Sequence, residues 1–227
     1  HDALPICVVS VVPWERHAGG AWTRLWATAK ATTLGADSFF AVLPDGALSP
    51  AMRFAVLAEA LAVTSMLAAL LPLCALALPG LVLELARDPG ARASALRWTL
   101  LGVPCLIGWM VIAHAAHGAA LDLGARRQGA RPARRRAIRF GLYACGWDLM
   151  GGPLGAVLML LAGGKKGVNE LLAASMRAPS RSSTSFLQGI YALAPPAAQR
   201  ARRAGSVAAV VLTVLSGIGV VAALILL

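Results

Sequence analysis

The feature that most constrains this chain is a basic connector between two long apolar runs. Trp98 to Leu121 contains no Lys, Arg, Asp or Glu, and Ile138 to Gly164 is again mostly apolar. The connector carries six arginines: Arg126, Arg127, Arg131, Arg134, Arg135 and Arg136. Because Lys and Arg beside membrane spans are retained on the cytoplasmic side, this arrangement predicts a polytopic membrane protein whose basic loop faces the cytoplasm.

Composition argues against a water-soluble protein. The chain is 58% hydrophobic and 14% charged, with a mean hydropathy of +0.70, whereas soluble domains carry about 25% charged residues. The net charge of +11 could indicate nucleic acid, but the basic residues lie in short connectors and form no stripe with interleaved aromatic residues. We expect no nucleic acid, and we expect anionic lipid headgroups to contact Arg126, Arg127, Arg134, Arg135, Arg136, Lys165 and Lys166.

The cysteines and the first residues carry little fold information. Cys7, Cys74, Cys105 and Cys145 stand alone, so we expect no disulfide and no complete metal site. His1 to Ile6 matches the translation of a common sequencing adapter, and we interpret it as an assembly scar, with a genuine hexapeptide as the alternative. If the hexapeptide is a scar, the native N-terminus has been cut away, and the loss of a module that preceded Cys7 is an open alternative.

The remaining chain divides into residues 7–50, which precede the membrane, and a membrane-helix domain over residues 51–227. Trp22, Leu25, Trp26 and Ala29 recur at helical spacing. This pattern predicts either an amphipathic helix lying in the membrane interface or an ordinary helix packed on the membrane bundle, and the sequence does not separate the two.

The first apolar run is too long for one span. Phe54 to Ala86 would form about 50 Å of helix, against a hydrocarbon core of about 30 Å. We expect a break at Pro72 or at Pro79-Gly80, with the first span ending near Leu71. Glu59 lies in this span, where a carboxylate is a functional candidate, but its position near the end favours an interfacial location.

Two of the later apolar runs predict simple membrane spans, and a third run is interrupted. Trp98 to Leu121 and Ala204 to Leu227 are each long enough to cross a membrane. Ile138 to Gly164 is interrupted by Gly151-Gly152-Pro153, and we expect a re-entrant hairpin bent at these glycines, which returns the basic stretch Lys165 to Arg203 to the cytoplasmic face. The chain is thus predicted to be an all-α polytopic bundle with four to five membrane segments.

Three polar residues form a candidate intramembrane site. His114 and His117 lie on one helix face and could bind a metal or relay protons, although hydrogen bonds to neighbouring helices are the simpler interpretation. Asp148 interrupts the next apolar run. An isolated carboxylate at depth costs several kcal/mol, so we expect Asp148 to be neutral or paired with Arg139, His114 or His117. Phosphate-loop, hydrolase-elbow and zinc-protease motifs are missing from the sequence, so we expect no enzyme activity, catalytic residue or cofactor.

Several short motifs are spread along the chain: Pro13-Trp14-Glu15, Trp26 with Thr28, Phe39-Phe40, His117, Arg139 to Tyr143, and Pro153 with Gly155. Together they resemble bacterial members of the Yip (Ypt-interacting protein) domain family. The family usually has a proline before the Phe-Phe pair, which this chain lacks, and the region of its third and fourth membrane helices is compressed into Ile138 to Gly164.

The resemblance implies about five membrane segments and a cytoplasmic N-terminus. Eukaryotic relatives act with small GTPases, whereas the composition here is typical of a high-GC bacterium. The resulting function prediction is a scaffold or helix-packing partner in the bacterial inner membrane. Its predicted partners are further copies of the same chain or other membrane proteins. The alternative is a small-solute or ion transporter built around His114, His117 and Asp148.

Overall fold

The computed structural model describes residues 12–16 and 19–226, with side chains to residue 222. His1 to Ile6 and Cys7, with the predictions made for them, lie outside the described residues. In the described part the secondary structure is helical and contains no strand. After a 3-10 turn at Pro13–Glu15, the helices are α1 Ala21–Thr33, α2 Ala36–Ala41, α3 Leu48–Ala77, α4 Pro79–Arg87, α5 Pro89–Arg126, α6 Arg134–Ala144, α7 Gly146–Gly151, α8 Pro153–Tyr191 and α9 Pro195–Leu226.

Three of the described helices are long and apolar enough to cross a membrane: α3, α5 and α9. A fourth candidate is the pair Arg134–Gly151 and Pro153–Tyr191, which is bent by 65° at the break. The chain is therefore an all-α helix bundle with the features of a multi-pass membrane protein. If the bent pair counts as one span, the described residues contain four membrane segments, which is the lower of the two predicted numbers.

The first break lies further along than the predicted end near Leu71. Pro72 remains inside α3, and the helix ends at Ala77. Leu78 then adopts φ −129° and ψ 62°, and Pro79 starts α4. A single interior proline removes one hydrogen bond, whereas Pro79-Gly80 adds the low helix propensity of glycine to that loss. The second of the two predicted break points therefore ends the helix.

The turn-forming residues Asp88-Pro89-Gly90 lie at the start of α5. The Asp88 carboxylate accepts a hydrogen bond from the Gly90 N–H at 2.8 Å, and Pro89 occupies the first turn. This is a favourable helix start because an aspartate satisfies an unpaired amide and proline needs none. The helix is thus longer than the charge-free run, because it includes Arg92 and Arg97 before that run begins.

The predicted break at Gly151-Gly152-Pro153 is confirmed, but the reversal predicted there lies further along the chain. The chain bends there by 65° and reverses at Gly164, which has φ 59° and ψ −153°. Three contacts show antiparallel pairing about Gly163. They are the Phe140 and Phe186 rings, stacked with centroids 4.6 Å apart, Gly151 beside Ser175, and Gly167 against the Met159 backbone.

This reversal divides the basic stretch Lys165 to Arg203, which was predicted to lie together on one face. Lys165 and Lys166 are at the hairpin turn. The other end of the hairpin is joined to the basic connector, because Tyr191 donates to Asp122 at 2.7 Å and Arg200 donates to Gln128 at 3.0 Å. We call this end, formed by residues 127–133 and 192–203, the arginine-rich end.

The helix before the first span packs on the bundle. One face of α1 is buried, through Leu25, Thr28, Ala29, Thr32 and Thr33, while Trp22 is half exposed. The indole N–H of Trp147 donates to the Thr32 carbonyl at 2.9 Å. Of the two alternatives for this segment, the packed helix is the one that the structure shows.

Aromatic rings from the N-terminal segment and the hairpin form the core. Phe40 lies against Phe140, with ring centroids 4.6 Å apart, and Phe54 lies against Tyr143 at 5.3 Å. These rings are fully buried. Buried residues of the N-terminal segment, among them Val12, Leu25 and Phe40, therefore belong to the same hydrophobic core as the bundle.

Candidate functional site

A contact between an imidazole and a partly exposed carboxylate joins α5 to α7. Nε2 of His114 lies 2.7 Å from Oδ2 of Asp148. Asp148 is brought there because α7 starts at Gly146, where a Cβ would lie 2.3 Å from the Thr32 hydroxyl. The glycine thus permits the close contact between α1 and α7 that positions the carboxylate. His114 is one of the three partners predicted for Asp148.

Glu59 of α3 belongs to the same cluster. Its Oε1 lies 3.5 Å from Nε2 of His114, its side chain is fully buried, and neither carboxylate oxygen has a hydrogen-bond partner. The interfacial location predicted for Glu59 is therefore wrong. The residue faces inward because it shares a face of α3 with the buried residues Ala55, Ala58 and Ala62. This row of small residues is the sequence signal that could have identified it.

Cys145 completes a group of potential metal ligands. One donor atom each from Glu59, His114 and Cys145 lies within 4.8 Å of the others. Sequence spacing could not predict this group, because its members come from α3, α5 and the junction of α6 with α7. The thiol is fully buried.

His117 lies one turn further along α5 and faces the hairpin. Its Nε2 is 3.3 Å from the Ser183 hydroxyl, and its ring lies 6.1 Å from that of Phe140. The two histidines thus have different partners: His114 contacts carboxylates, and His117 contacts a hydroxyl group. The proposed hydrogen bonding of both imidazoles to neighbouring helices is seen in the structure.

Two cavities meet at Asp148. The first, of about 550 Å³, is lined by Glu59, Asp148 and apolar residues of α3 and α5. The second, of about 480 Å³, is lined by His114, His117, Asp148 and residues of α9 such as Thr213. Both cavities also share Met110, Trp147 and Pro179 as lining residues. The three predicted polar residues therefore converge on one cavity, and Asp148 lies on the wall between two.

The cluster lies at a similar depth on each helix. Glu59 is 11 residues from the start of α3, and His114 is 12 residues from the end of α5. Both helix ends lie near the arginine-rich end. At 1.5 Å per residue, these positions are about 17 to 18 Å into the bundle, well inside the candidate spans.

Arg139 is engaged elsewhere and does not pair with Asp148. Its guanidinium is buried and donates to Glu15 Oε1 and to the Ala47 carbonyl, both at 2.7 Å. The hydroxyl of Tyr143 donates to the same Glu15 oxygen at 2.6 Å. Several motifs of the Yip resemblance are thus in contact, and their visible role is to fix the N-terminal segment to α6.

The predicted headgroup residues are at the surface. Arg126, Arg127, Arg134, Arg135, Lys165 and Lys166 are exposed, and Arg136 is partly so. Arg126 also forms an ion pair at 3.1 Å with the buried Asp122. Five of these residues are at or beside the arginine-rich end, and the two lysines are at the hairpin turn.

No protein-family model, curated protein or solved structure matches this chain. The Yip resemblance therefore stays a prediction, and the function has to be argued from the site.

Proposed function

We propose that this protein binds and moves a small cation through the membrane by way of Asp148. The observation that supports this most is the position of Asp148 on the wall between two cavities, with His114 at 2.7 Å. Buried ionisable groups in membrane helices are costly and mark ion or proton pathways. The helix break beside Asp148, at Gly151 to Pro153, is a feature of transport sites as well.

The charge of the cluster supports a cation as the solute. Glu59 and Asp148 both lie within 3.5 Å of the same imidazole nitrogen. The negative charges of two carboxylates can offset the positive charge of a bound cation, so that the cluster with its cation carries no net positive charge. An anion would instead face two acidic groups at short distance, which is unfavourable in a low-dielectric interior.

The test is flux into proteoliposomes that contain the purified full-length chain, measured separately for H⁺, Na⁺, K⁺ and Zn²⁺ with ion-sensitive dyes. We expect flux of at least one of these cations. Asp148→Asn and His117→Gln should reduce it to the level of protein-free liposomes. Glu170→Gln is the matched control, because Glu170 is well exposed and pairs only weakly with Lys166 at 4.0 Å. Flux that is absent for all four cations, or unchanged in Asp148→Asn, contradicts the proposal.

A second candidate function is the membrane scaffold. In the most apolar 18-residue window of each candidate span, only 6 to 11% of the residues are buried within the chain. The α4 helix has no buried residue. Such surfaces can pack against a second copy or other membrane proteins as well as against lipid. Native mass spectrometry from membranes tests this function: a defined oligomer or a stoichiometric partner supports it, and a lipid-bound monomer contradicts it.

We further infer that the arginine-rich end faces the cytoplasm of a bacterial cell, at the inner membrane. The support is the bias of Lys and Arg toward cytoplasmic loops. The N-terminal turn is fixed to the first turn of α3, because the Trp14 indole donates to the Pro50 carbonyl at 2.8 Å, and we propose a cytoplasmic location for the N-terminal segment as well. Membership of the Yip family and the lack of enzyme activity are proposals as well.

A further inference from the structure

The strongest unassigned feature is the group of donor atoms from Glu59, His114 and Cys145. Carboxylate oxygen, imidazole nitrogen and thiol sulfur lie within 4.8 Å of one another. Zinc is bound by these same atom types at about 2.0 to 2.3 Å, almost always with four ligands in a tetrahedron. Donor atoms around such an ion lie closer together than 4.8 Å, so the three side chains would move inward to close the group around it.

The buried Glu59 carboxylate is an independent indication of a ligand. It is fully buried, and neither oxygen accepts a hydrogen bond. A buried polar group without a partner costs free energy that a bound cation would offset. The polar groups nearest to these oxygens include the other two donors of the group, His114 at 3.5 Å and the Cys145 thiol, so the carboxylate faces the position that an ion would occupy.

The chemistry of the donors selects the class of ion. Thiolate and imidazole prefer borderline-soft ions such as Zn²⁺, whereas Mg²⁺ and Ca²⁺ are bound by oxygen ligands alone. The thiol of Cys145 would release its proton to the cavity when the sulfur–metal bond forms. The Cys145 thiolate and the Glu59 carboxylate would then carry two negative charges, and the Asp148 carboxylate beside them a third, against the two positive charges of the ion.

We propose that Glu59, His114 and Cys145 bind a divalent transition-metal ion of the Zn²⁺ class, with Asp148 as the fourth donor. Asp148 suits this role because its Oδ2 already lies 2.7 Å from Nε2 of His114. The ion can reach the site from the 550 Å³ cavity that Glu59 and Asp148 line. This inference rests on the proposed function in that it names the class of cation, but binding can be measured without transport.

The experiment is metal titration of tag-free, full-length protein in detergent. The background carries serine in place of Cys7, Cys74 and Cys105, so that Cys145 is the one remaining thiol. We expect about one Zn²⁺ per chain. Co²⁺, used as a spectroscopic probe, should give the near-ultraviolet absorption of a cobalt–thiolate bond. This result needs no further substitution and so does not depend on whether a ligand variant folds.

Single substitutions then assign the ligands. Cys145→Ala should abolish the cobalt–thiolate absorption, and Cys145→Ala and Glu59→Gln should each weaken Zn²⁺ binding by more than about 100-fold. Glu84→Gln is the matched control, since Glu84 is an exposed carboxylate on α4. Each variant is compared only if its helical circular dichroism and melting show a folded protein.

The inference is overturned if folded protein binds no Zn²⁺ stoichiometrically, or if folded Cys145→Ala retains the affinity and the absorption. Its failure is separable from that of the proposed function. Zn²⁺ binding without flux of any cation would refute the transport proposal alone. Flux of another cation through a protein that does not bind Zn²⁺ would refute this inference alone.

Discussion

The guanidinium of Arg139 donates to the carboxylate of Glu15 at 2.7 Å, across 124 residues of sequence. Arg139 is 1% exposed and Glu15 is 17% exposed. The pair connects the N-terminal turn to α6, and Tyr143 donates to the same carboxylate oxygen. The contact therefore stabilises the fold, whereas the sequence had indicated Arg139 as one of the possible partners of Asp148.

We predict that Glu15→Ala destabilises the folded protein by about 3–5 kcal/mol, because it leaves the buried Arg139 without its counter-ion. Thermal melting in detergent, followed by circular dichroism, measures this. The double variant Glu15→Leu with Arg139→Met should recover part of the loss, since it removes both charges. Lys166→Gln is the control and should leave the melting temperature unchanged. Equal melting of Glu15→Ala and the parent protein would show that the pair contributes nothing.

A second prediction concerns the close approach of α5 to α6. A Cβ at Gly118 would lie 2.0 Å from the Ala137 carbonyl oxygen, and a Cβ at Gly141 would lie 2.1 Å from that of His114. Either alanine substitution must separate the two helices, at a cost of about 1–3 kcal/mol or more. Gly108→Ala on the same helix is the matched control, because nothing lies within 4 Å of that position.

The measurement for these glycines is again melting, together with Zn²⁺ binding at the site next to them. Gly141→Ala displaces the backbone at His114, so it should weaken Zn²⁺ binding as well as stability. Gly108→Ala should be neutral or slightly stabilising, since alanine has the higher helix propensity. If Gly141→Ala and Gly108→Ala melt alike, the helices do not approach as closely as described.

A third prediction concerns the hairpin turn. Gly164 has φ 59° and ψ −153°, a conformation that is essentially restricted to glycine. Gly164→Ala should therefore cost about 1–3 kcal/mol of stability. Gly163→Ala, one residue away, meets no neighbour within 4 Å and has no positive φ, so it should have no such effect. A similar loss in both variants would place the reversal elsewhere.

The fourth prediction is topological. Lys166 at the hairpin turn should lie on the opposite membrane face from Arg127, on the same side as Arg92. Single cysteines at these three exposed positions, in a cysteine-free background, are treated in intact cells with an impermeant maleimide. We expect Lys166→Cys and Arg92→Cys to react and Arg127→Cys to be protected. Protection of Lys166→Cys together with reaction of Arg92→Cys would mean that the hairpin is re-entrant and does not cross.

The sequence by itself determined that the chain is helical and suited to a membrane. Apolar run length and the basic connector depend on neighbouring residues along the chain, so they could be predicted locally. The same local information indicated His114, His117 and Asp148 as a candidate polar site within the membrane segments. It also gave the candidate headgroup arginines, because charges beside apolar runs are visible in any such sequence.

Only the tertiary structure decided where the chain reverses and which polar groups meet. Glu59, His114 and Cys145 are separated by tens of residues, and their contact depends on how three helices pack. The break at Gly151 to Pro153 and the turn at Gly164 both contain glycine. The first is a bend and the second a reversal, and the stacked rings of Phe140 and Phe186 lie on the two arms that the reversal brings together. Helix packing is a long-range property of shape complementarity, and no local pattern encodes it.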